Sequence, residues 1–138
     1  MLSLYQLIPE LVGMFQLEMA QRIIAGHGSK TYGIISVLTQ ALYEGELLFK
    51  VSRNNFRPMP NVESAVIRLR RKTKLPDCDY PVLRKLVKAS FAQRRKMLRN
   101  TLKGIIPPDH LKGSLFQKRP EQLSVQEFIK LAAQVEFH

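Results

Sequence analysis

A charged segment that contains a proline, residues 71–79 (RKTKLPDCD), separates two parts of the chain with different sequence patterns. Before it, short apolar runs alternate with helix-forming stretches, which predicts an α/β arrangement. After it, apolar residues recur at helical spacing, which predicts an all-α arrangement. We therefore expect a domain boundary here, with an α/β part at residues 1–72 and a small helical domain at residues 73–138.

The patterns before this segment predict three strands and two helices. The apolar run at residues 11–15 (LVGMF) is short and continuous, which predicts a strand buried on both faces, as in a parallel sheet. The alternation in residues 63–70 (ESAVIRLR) predicts a half-exposed strand near a sheet edge. So few elements cannot cover a fully buried strand, and residues 1–72 are therefore predicted to be only part of a fold. The other predicted elements are a helix end at residues 2–8, helices from Glu18 to Ala25 and over residues 32–43, and a strand over residues 46–51.

Helices are predicted throughout the second part. A helix is expected over residues 80–93, and residues 94–103 either continue it or restart after a bend; the pattern leaves both open. Ser124 and Glu127 have the spacing of a capping box, in which each residue binds the backbone N–H of the other. This spacing predicts that a last helix begins there and runs through Val135.

Positive charge is concentrated late in the chain. The formal net charge of +11 arises from 22 basic and 11 acidic residues. Residues 1–49 hold only two of the basic residues and four of the acids, so residues 50–138 carry a net charge of +13. This distribution indicates a polyanionic partner and favours nucleic acid over a charged surface that serves only solubility.

Several function classes have no support in the sequence. No apolar run is long enough to predict a membrane span, and no signal peptide is evident. Cys78 is the single cysteine, so no internal disulfide forms and a reducing, cytoplasmic location is expected. His27, His110 and His138 make no metal-binding spacing with Cys78, and no metal site is predicted.

The loop that begins at Phe56 (FRPMPNVES) is the most specific local feature. Pro58 and Pro60 stand at alternate positions, which predicts a stiff, extended backbone. An aromatic ring at the front of such a loop can offer a flat apolar face to a nucleic-acid base taken out of its stack. The residues alone leave open an alternative, in which Phe56 plugs the end of the sheet beneath a rigid turn.

Residues 80–108 contain eight basic residues and no acid. On one continuous helix, Arg84, Lys88, Arg95 and Arg99 would share a face, and a bend would still leave Arg95 and Arg99 as neighbours. Like charges arranged in this way repel unless a phosphate backbone lies across them, which favours RNA contact over a solvated face. The predicted RNA-binding residues are Arg84, Lys88, Arg94, Arg95, Lys96, Arg99 and Lys103. We also expect positive charge to extend toward the Phe56 loop through Arg68, Arg70, Arg71, Lys72 and Lys74.

Five segments follow one another along the chain: MFQLEMAQR from Met14, GSKTYGIISVL from Gly28, FRPMPNVESAVIR from Phe56, FAQRRKMLRN from Phe91 and LSVQEF from Leu123. In these segments and in their order the sequence resembles a known family, the KsgA/ErmC-type ribosomal RNA adenine N6-methyltransferases. The basic segment from Phe91 is similar to that of the dimethylating KsgA branch. Two positions depart from the family pattern: Leu17 replaces a usual lysine, and Met59 replaces a frequent proline.

The resemblance implies a fold and an activity. The chain would supply the last strands and helices of a Rossmann-like class I methyltransferase sheet, followed by the helical domain. The family's Gly-rich loop and Asn-Leu-Pro-Tyr motif do not occur in this sequence, so the chain alone is expected to be inactive. Its parent would use S-adenosylmethionine to dimethylate adenosines near the 3′ end of small-subunit (16S) rRNA in ribosome biogenesis. Phe56, Pro58 and Pro60 would form part of the target-base pocket.

The expected partners are ribosomal RNA and the small ribosomal subunit, without a membrane or a metal, and the protein is expected to be a monomer. Two interpretations from other classes stay open. One is a standalone RNA-binding or ribosome-assembly scaffold module without catalysis. The other is a purely structural helical adaptor.

Overall fold

The computed structural model describes residues 8–76 and 78–134. The helix end expected at residues 2–8 lies outside them, except for Ile8, as does Val135 at the expected end of the last helix. Short 3-10 turns at Arg53–Asn55, Pro108–Leu111, Ser114–Gln117 and Pro120–Gln122 accompany the longer elements. Those elements are β1 (Glu10–Gln16), α1 (Leu17–Ile23), α2 (Ile34–Leu42), β2 (Tyr43–Val51), β3 (Ser64–Arg71), α3 (Tyr80–Phe91), α4 (Leu98–Thr101) and α5 (Val125–Gln134).

The three strands form an antiparallel sheet in the order β1-β3-β2. Ser64, the first residue of β3, lies between Gln16 of β1 and Val51 of β2, so β1 and β2 both end where β3 begins. Two expectations are therefore wrong. β1 is expected in a parallel sheet, but it pairs antiparallel to its described neighbour β3. β3 is expected near an edge, but it is the central strand of the three. The alternation in β3 reports one buried face, which central and edge strands of an antiparallel sheet share.

The sheet has one covered and one open face within the described residues. Ala65, Ile67 and Leu69 of β3 are buried and pack with residues of α1 and the α2–β2 junction. On the other face, Met14, Val66 and Phe49 are directly opposite one another across the three strands. Met14 and Phe49 are 51% and 55% exposed. The apolar run in β1 therefore supplies two faces, of which the described part of the chain covers one.

A second hydrophobic cluster holds the helical part together. Leu83, Leu86 and Val87 give α3 a buried face, and Phe128 of α5 packs in the same cluster. Val37 of α2 is also fully buried there, although it precedes the expected boundary at residue 72. The division at residue 72 remains a prediction, and the packing shows a core that extends across it.

The basic stretch after α3 is not one continuous helix. The helix ends at Phe91, residues 92–96 form turns, and Met97 has an extended backbone before α4 begins. The backbone N–H of Leu98 donates to the carbonyl of Lys118 at 2.9 Å, where a continuous helix would use Arg94. This long-range hydrogen bond stabilises the break, so the bend is the correct alternative and the shared face of Arg84, Lys88, Arg95 and Arg99 is wrong.

The expected capping box is confirmed at the start of α5. Ser124 N–H donates to Glu127 Oε1 at 3.0 Å, and Glu127 N–H donates to Ser124 Oγ at 3.2 Å. The hydrogen bond from the Ser124 backbone is the main reason that the pKa of Glu127 lies below its usual value. None of the helices in residues 8–76 and 78–134 combines the length and apolar character that crossing a bilayer requires.

Candidate nucleic-acid interface

The loop between β2 and β3 is held at both of its ends. Ser52 Oγ accepts from the N–H of Asn54 at 3.2 Å, which caps the 3-10 turn at Arg53–Asn55. Glu63 Oε2 accepts from the N–H of Arg53 at 2.7 Å, and the carbonyl of Glu63 accepts from the N–H of Leu17 at 2.9 Å. These contacts fix the loop at the edge of the sheet where β1 and β2 end.

Phe56 follows this 3-10 turn directly and is half-buried. It belongs to neither hydrophobic cluster of the described residues. This position favours a ring available to a ligand over a ring that plugs the sheet end. The loop bends at residues 56–58 and 61–62, so the expectation of a simply extended backbone is wrong. The Arg57–Pro58 peptide bond is cis. Pro58 is exposed and Pro60 is half-buried.

Positive charge does not extend along β3 toward this loop. The strand starts beside the loop at Ser64 and runs away from it to Arg71. A strand rises about 3.3 Å per residue, so these two residues are about 23 Å apart. Lys72 N–H donates to the carbonyl of Leu42 at 2.8 Å, which places it at the far end of the sheet, and Lys74 follows it in the chain. The expected approach of charge toward Phe56 is therefore wrong, because it neglected the direction of the strand.

The arginines in the middle of β3 also have acidic partners. Arg68 forms an ion pair with Glu46 on the neighbouring strand β2. Its Nε lies 3.9 Å from Glu10 Oε1, and the Nε of Arg70 lies 3.5 Å from the same oxygen. Cross-strand pairs of opposite charge stabilise a sheet. These cations are therefore largely neutralised by the acids of the first part of the chain.

Exposed cations without such partners lie in the helical part. Within the described residues, the side chains of six predicted RNA-binding residues have neither a hydrogen bond nor an ion pair with another side chain. Two of them lie on α3, two in the turn that follows it, one on α4 and one just after α4. Arg95 and Arg99 are not on one helix face, since the extended backbone at Met97 separates them. The six are Arg84, Lys88, Arg95, Lys96, Arg99 and Lys103.

Arg94 differs from its neighbours because its guanidinium is occupied within the protein. The guanidinium donates to the carbonyls of Lys30 and Tyr32, the first at 3.0 Å. Its Nε lies 3.4 Å from Glu121 Oε2, and its Cζ lies 5.7 Å from the centre of the Phe91 ring. These contacts fasten the basic turn to the segment before α2. We therefore assign Arg94 a structural role and leave it out of the RNA-binding surface.

The surroundings of Arg94 form a continuous packed group. Tyr32 is fully buried, and its ring lies edge-on to those of His27 and Phe91, with centroid distances of 6.5 and 6.1 Å. Burial raises the pKa of Tyr32, and the nearby charge of Glu127 adds to the rise. This tyrosine therefore remains protonated, and its role is packing.

Two acids in this region have roles that the sequence pattern did not predict. Glu63 fixes the start of the Phe56 loop, and Glu121 pairs with Arg94. A signal was present for Glu121. Residues 80–108 hold no acid, so any partner for a basic residue there has to come from another segment. Within the described residues, no group of three or more potential ligands could hold a metal ion.

Comparison with known proteins identifies relatives across the whole chain. The model of the family described as Ribosomal RNA adenine dimethylase matches residues 1–135. A protein named Ribosomal RNA small subunit methyltransferase A from Bacteroides thetaiotaomicron is 54% identical over 139 aligned positions, which cover 99% of this chain and 52% of that protein. A protein of the same name from Flavobacterium johnsoniae is 52% identical over 132 positions, covering 94% and 50%. The chain thus spans about half the length of these curated relatives.

Two solved structures resemble the fold. A dimethyladenosine transferase from Plasmodium falciparum superposes with a TM-score of 0.78 at 22% identity, covering 91% of this chain and 56% of that one. The 23S rRNA methyltransferase ErmE superposes with a TM-score of 0.63 at 23% identity, covering 92% and 56%. At such identities the likeness establishes the arrangement of the elements.

Proposed function

The chain belongs to the ribosomal RNA adenine dimethylase family, and from this premise we propose that it is the C-terminal portion of an rRNA adenine N6,N6-dimethyltransferase. The observation that carries the proposal is the match over residues 1–135, together with curated relatives named for methylation of small-subunit rRNA. The substrate would be adenosines near the 3′ end of 16S rRNA, modified in the cytoplasm by a monomer during ribosome biogenesis. Here β1–β3 would be the last strands of a Rossmann-like methyltransferase sheet, and the helical part would dock RNA.

Positioning is the main task that such a reaction sets. The exocyclic amine of adenine is a poor nucleophile, because its lone pair is delocalised into the ring. An enzyme must extrude the base and align the amine with the methyl group that it accepts; for ideal geometry, alignment lowers the barrier by about 7 kcal/mol or more. S-adenosylmethionine would supply the methyl group. The motifs that hold this donor in the family do not occur in the sequence, so we derive no step through it.

We assign the contact with the extruded base to Phe56. The ring follows a capped 3-10 turn whose backbone is tied to Ser52 and Glu63. A loop fixed in this way holds an aromatic face ready for stacking without an ordering cost at the moment of binding. Pro58 and Pro60 restrict the backbone behind the ring and complete this side of the pocket.

RNA docking would use the exposed cations of the helical part. Arg84 and Lys88 lie on α3, and Arg95 and Lys96 lie in the turn beyond it. Cations bind the phosphates of RNA because this binding releases the counterions of the RNA. A cation without an acidic neighbour contributes most, since no carboxylate already neutralises it. The Arg94 contacts hold the basic turn in place, so the docking surface is presented on a fixed backbone.

A substitution of Phe56 in the full-length parent tests the catalytic part of the proposal. Phe56→Ala should lower methylation of small-subunit rRNA by about 5-fold to 150-fold, since stacking on an aromatic ring is worth about 1–3 kcal/mol per base. Phe56→Tyr keeps the ring and should retain most of the activity. Binding of S-adenosylmethionine, measured separately by calorimetry, should be unchanged in both variants.

The same experiment separates the proposed enzyme from a scaffold. A parent protein that binds rRNA but neither binds S-adenosylmethionine nor transfers methyl groups would support a ribosome-assembly module instead. Full turnover in Phe56→Ala would leave the enzyme assignment intact and return Phe56 to a role at the end of the sheet.

A further inference from the structure

A cavity of about 690 Å³ lies beside α4 in the helical part. It is bounded on one side by α4 and by Lys103, two residues beyond it, and on the other by the segment from Leu111 to Gln117. Cavities that bind small organic ligands usually measure about 300–1,000 Å³, so a nucleotide-sized group fits this one. The residues that line it include Arg99, Asn100, Lys103, Leu111, Lys112 and Gln117.

The lining of the cavity is cationic. Arg99, Lys103 and Lys112 bring three positive charges to its walls, and none of the acidic residues that the structure describes lines it. Lys112 Nζ lies 3.7 Å from Asp109 Oδ1, but these side chains are 79% and 90% exposed, and water weakens such a pair. In the part of the chain that the structure describes, the side chains of Arg99 and Lys103 have no acidic partner. The three charges therefore repel one another until an anion enters.

Two side-chain amides and one apolar group complete the lining. The amides of Asn100 and Gln117 make no hydrogen bond to other described residues, so their donors and acceptors are available. An amide offers a donor and an acceptor side by side, which matches the edge of a nucleobase. Leu111 is buried and provides an apolar surface to the same cavity. A bare anion would use the cations and leave both of these features without a role.

We propose that this cavity binds one unpaired nucleotide of an RNA strand. Arg99, Lys103 and Lys112 contact its phosphate, while Asn100 and Gln117 contact the edge of its base. Sequence-specific recognition of RNA relies on unpaired bases whose edges are accessible, which is the chemistry that this combination of groups offers. The inference rests on the proposed RNA substrate and adds a second nucleotide site, on a different element from the Phe56 loop.

The proposal is tested by nuclear magnetic resonance titration of the ¹⁵N-labelled 138-residue chain. The three probes are adenosine 5′-monophosphate, ribose 5-phosphate and inorganic phosphate. The nucleotide should shift the resonances of α4 and residues 111–117 saturably, and it should bind about tenfold more tightly than ribose 5-phosphate. Equal affinity for the nucleotide and for inorganic phosphate, or shifts outside the cavity, would overturn the proposal.

Two variants separate the contribution of the base from that of the phosphate. Gln117→Leu should reduce the preference for the nucleotide over ribose 5-phosphate to about threefold or less while leaving phosphate affinity unchanged. Lys112→Ala should weaken all three probes several-fold, and Lys50→Ala, which removes an exposed cation from β2, should weaken none. An unchanged preference in Gln117→Leu would refute the contact with the base. Because this measurement involves no methyl transfer, a parent protein that fails to methylate rRNA would not alter its outcome.

Discussion

Arg94 and Arg95 are adjacent in sequence, and the structure gives them opposite roles that one pair of substitutions can separate. Arg94→Ala removes two hydrogen bonds to backbone carbonyls, an ion pair with Glu121 and a contact with the Phe91 ring. The Arg94 and Glu121 side chains are 38% and 29% exposed, so each contact is worth less than it would be in a dry core. Each hydrogen bond is worth about 1 kcal/mol and the ion pair less. We therefore expect the free energy of unfolding to fall by about 2–3 kcal/mol.

Urea unfolding of the chain provides the first measurement. With a slope of about 2 kcal/mol per molar urea, the midpoint of Arg94→Ala should fall by about 1 M or slightly more. Arg95→Ala changes an exposed side chain, and its free energy of unfolding should stay within about 0.5 kcal/mol of the unsubstituted chain. A double-mutant cycle with Glu121→Gln should recover a coupling energy of about 0.5–1 kcal/mol.

RNA binding as a function of salt provides the second measurement. Arg95→Ala combined with Arg99→Ala should weaken binding and reduce the salt slope by about 0.7–0.9 for each phosphate that the protein no longer neutralises. Arg94→Ala should keep the original slope when it is measured under conditions in which the variant is fully folded. Arg22→Ala serves as a control, because it removes a cation that is already paired with Glu18. The reasoning is refuted if Arg94→Ala is as stable as the unsubstituted chain, or if the Arg95 and Arg99 substitutions leave the slope unchanged.

Two further predictions concern stability, and both use urea unfolding. Ser124→Ala should cost about 1 kcal/mol, because it removes the Oγ that accepts from the N–H of Glu127. The backbone N–H of residue 124 still donates to Glu127 in this variant, and that hydrogen bond is the main cause of the lowered pKa of Glu127. The stabilisation from this carboxylate is present above its usual pKa of 4.5 and is lost below it in both proteins, so the difference between them should stay nearly constant down to about pH 3. A difference that disappears at low pH would contradict this division of roles. Gly45→Ala should cost about 1–3 kcal/mol, because the added Cβ would lie 3.0 Å from Leu69 Cδ2, whereas Gly26→Ala meets nothing within 4 Å and should be tolerated.

The elements with strong local signals were predictable from the sequence. The helical spacing of residues 32–43 and the alternation of residues 63–70 correspond to α2 and β3 within one or two residues at each end. The capping box at Ser124 was predictable for the same reason, because all its hydrogen bonds join residues three apart. Periodicity and capping depend on neighbours in the chain, and a single sequence contains that information.

The features that depend on distant residues were not predictable in this way. The end of α3 is stabilised by a hydrogen bond between Leu98 and Lys118, and the role of Arg94 depends on Lys30, Tyr32 and Glu121. Nothing in the sequence around Arg94 distinguishes it from Arg95. The order of the strands was likewise beyond the pattern, since the alternation in β3 reports which face is buried and not which strands flank it.

The position of the proposed RNA-binding surface follows from which cations lack acidic partners rather than from how many cations a segment contains. Residues 50–138 carry a net charge of +13, and the sequence alone suggested a polyanionic partner for this part of the chain. In the folded chain, Glu10 and Glu46 come from the acidic first part and pair with Arg68 and Arg70 across the sheet. The net charge of the sheet is thus reduced, while the exposed cations of the helical part keep theirs. A cation that has no acidic partner binds phosphate more strongly than one that is already paired. RNA affinity and its salt dependence should therefore concentrate on the helical part.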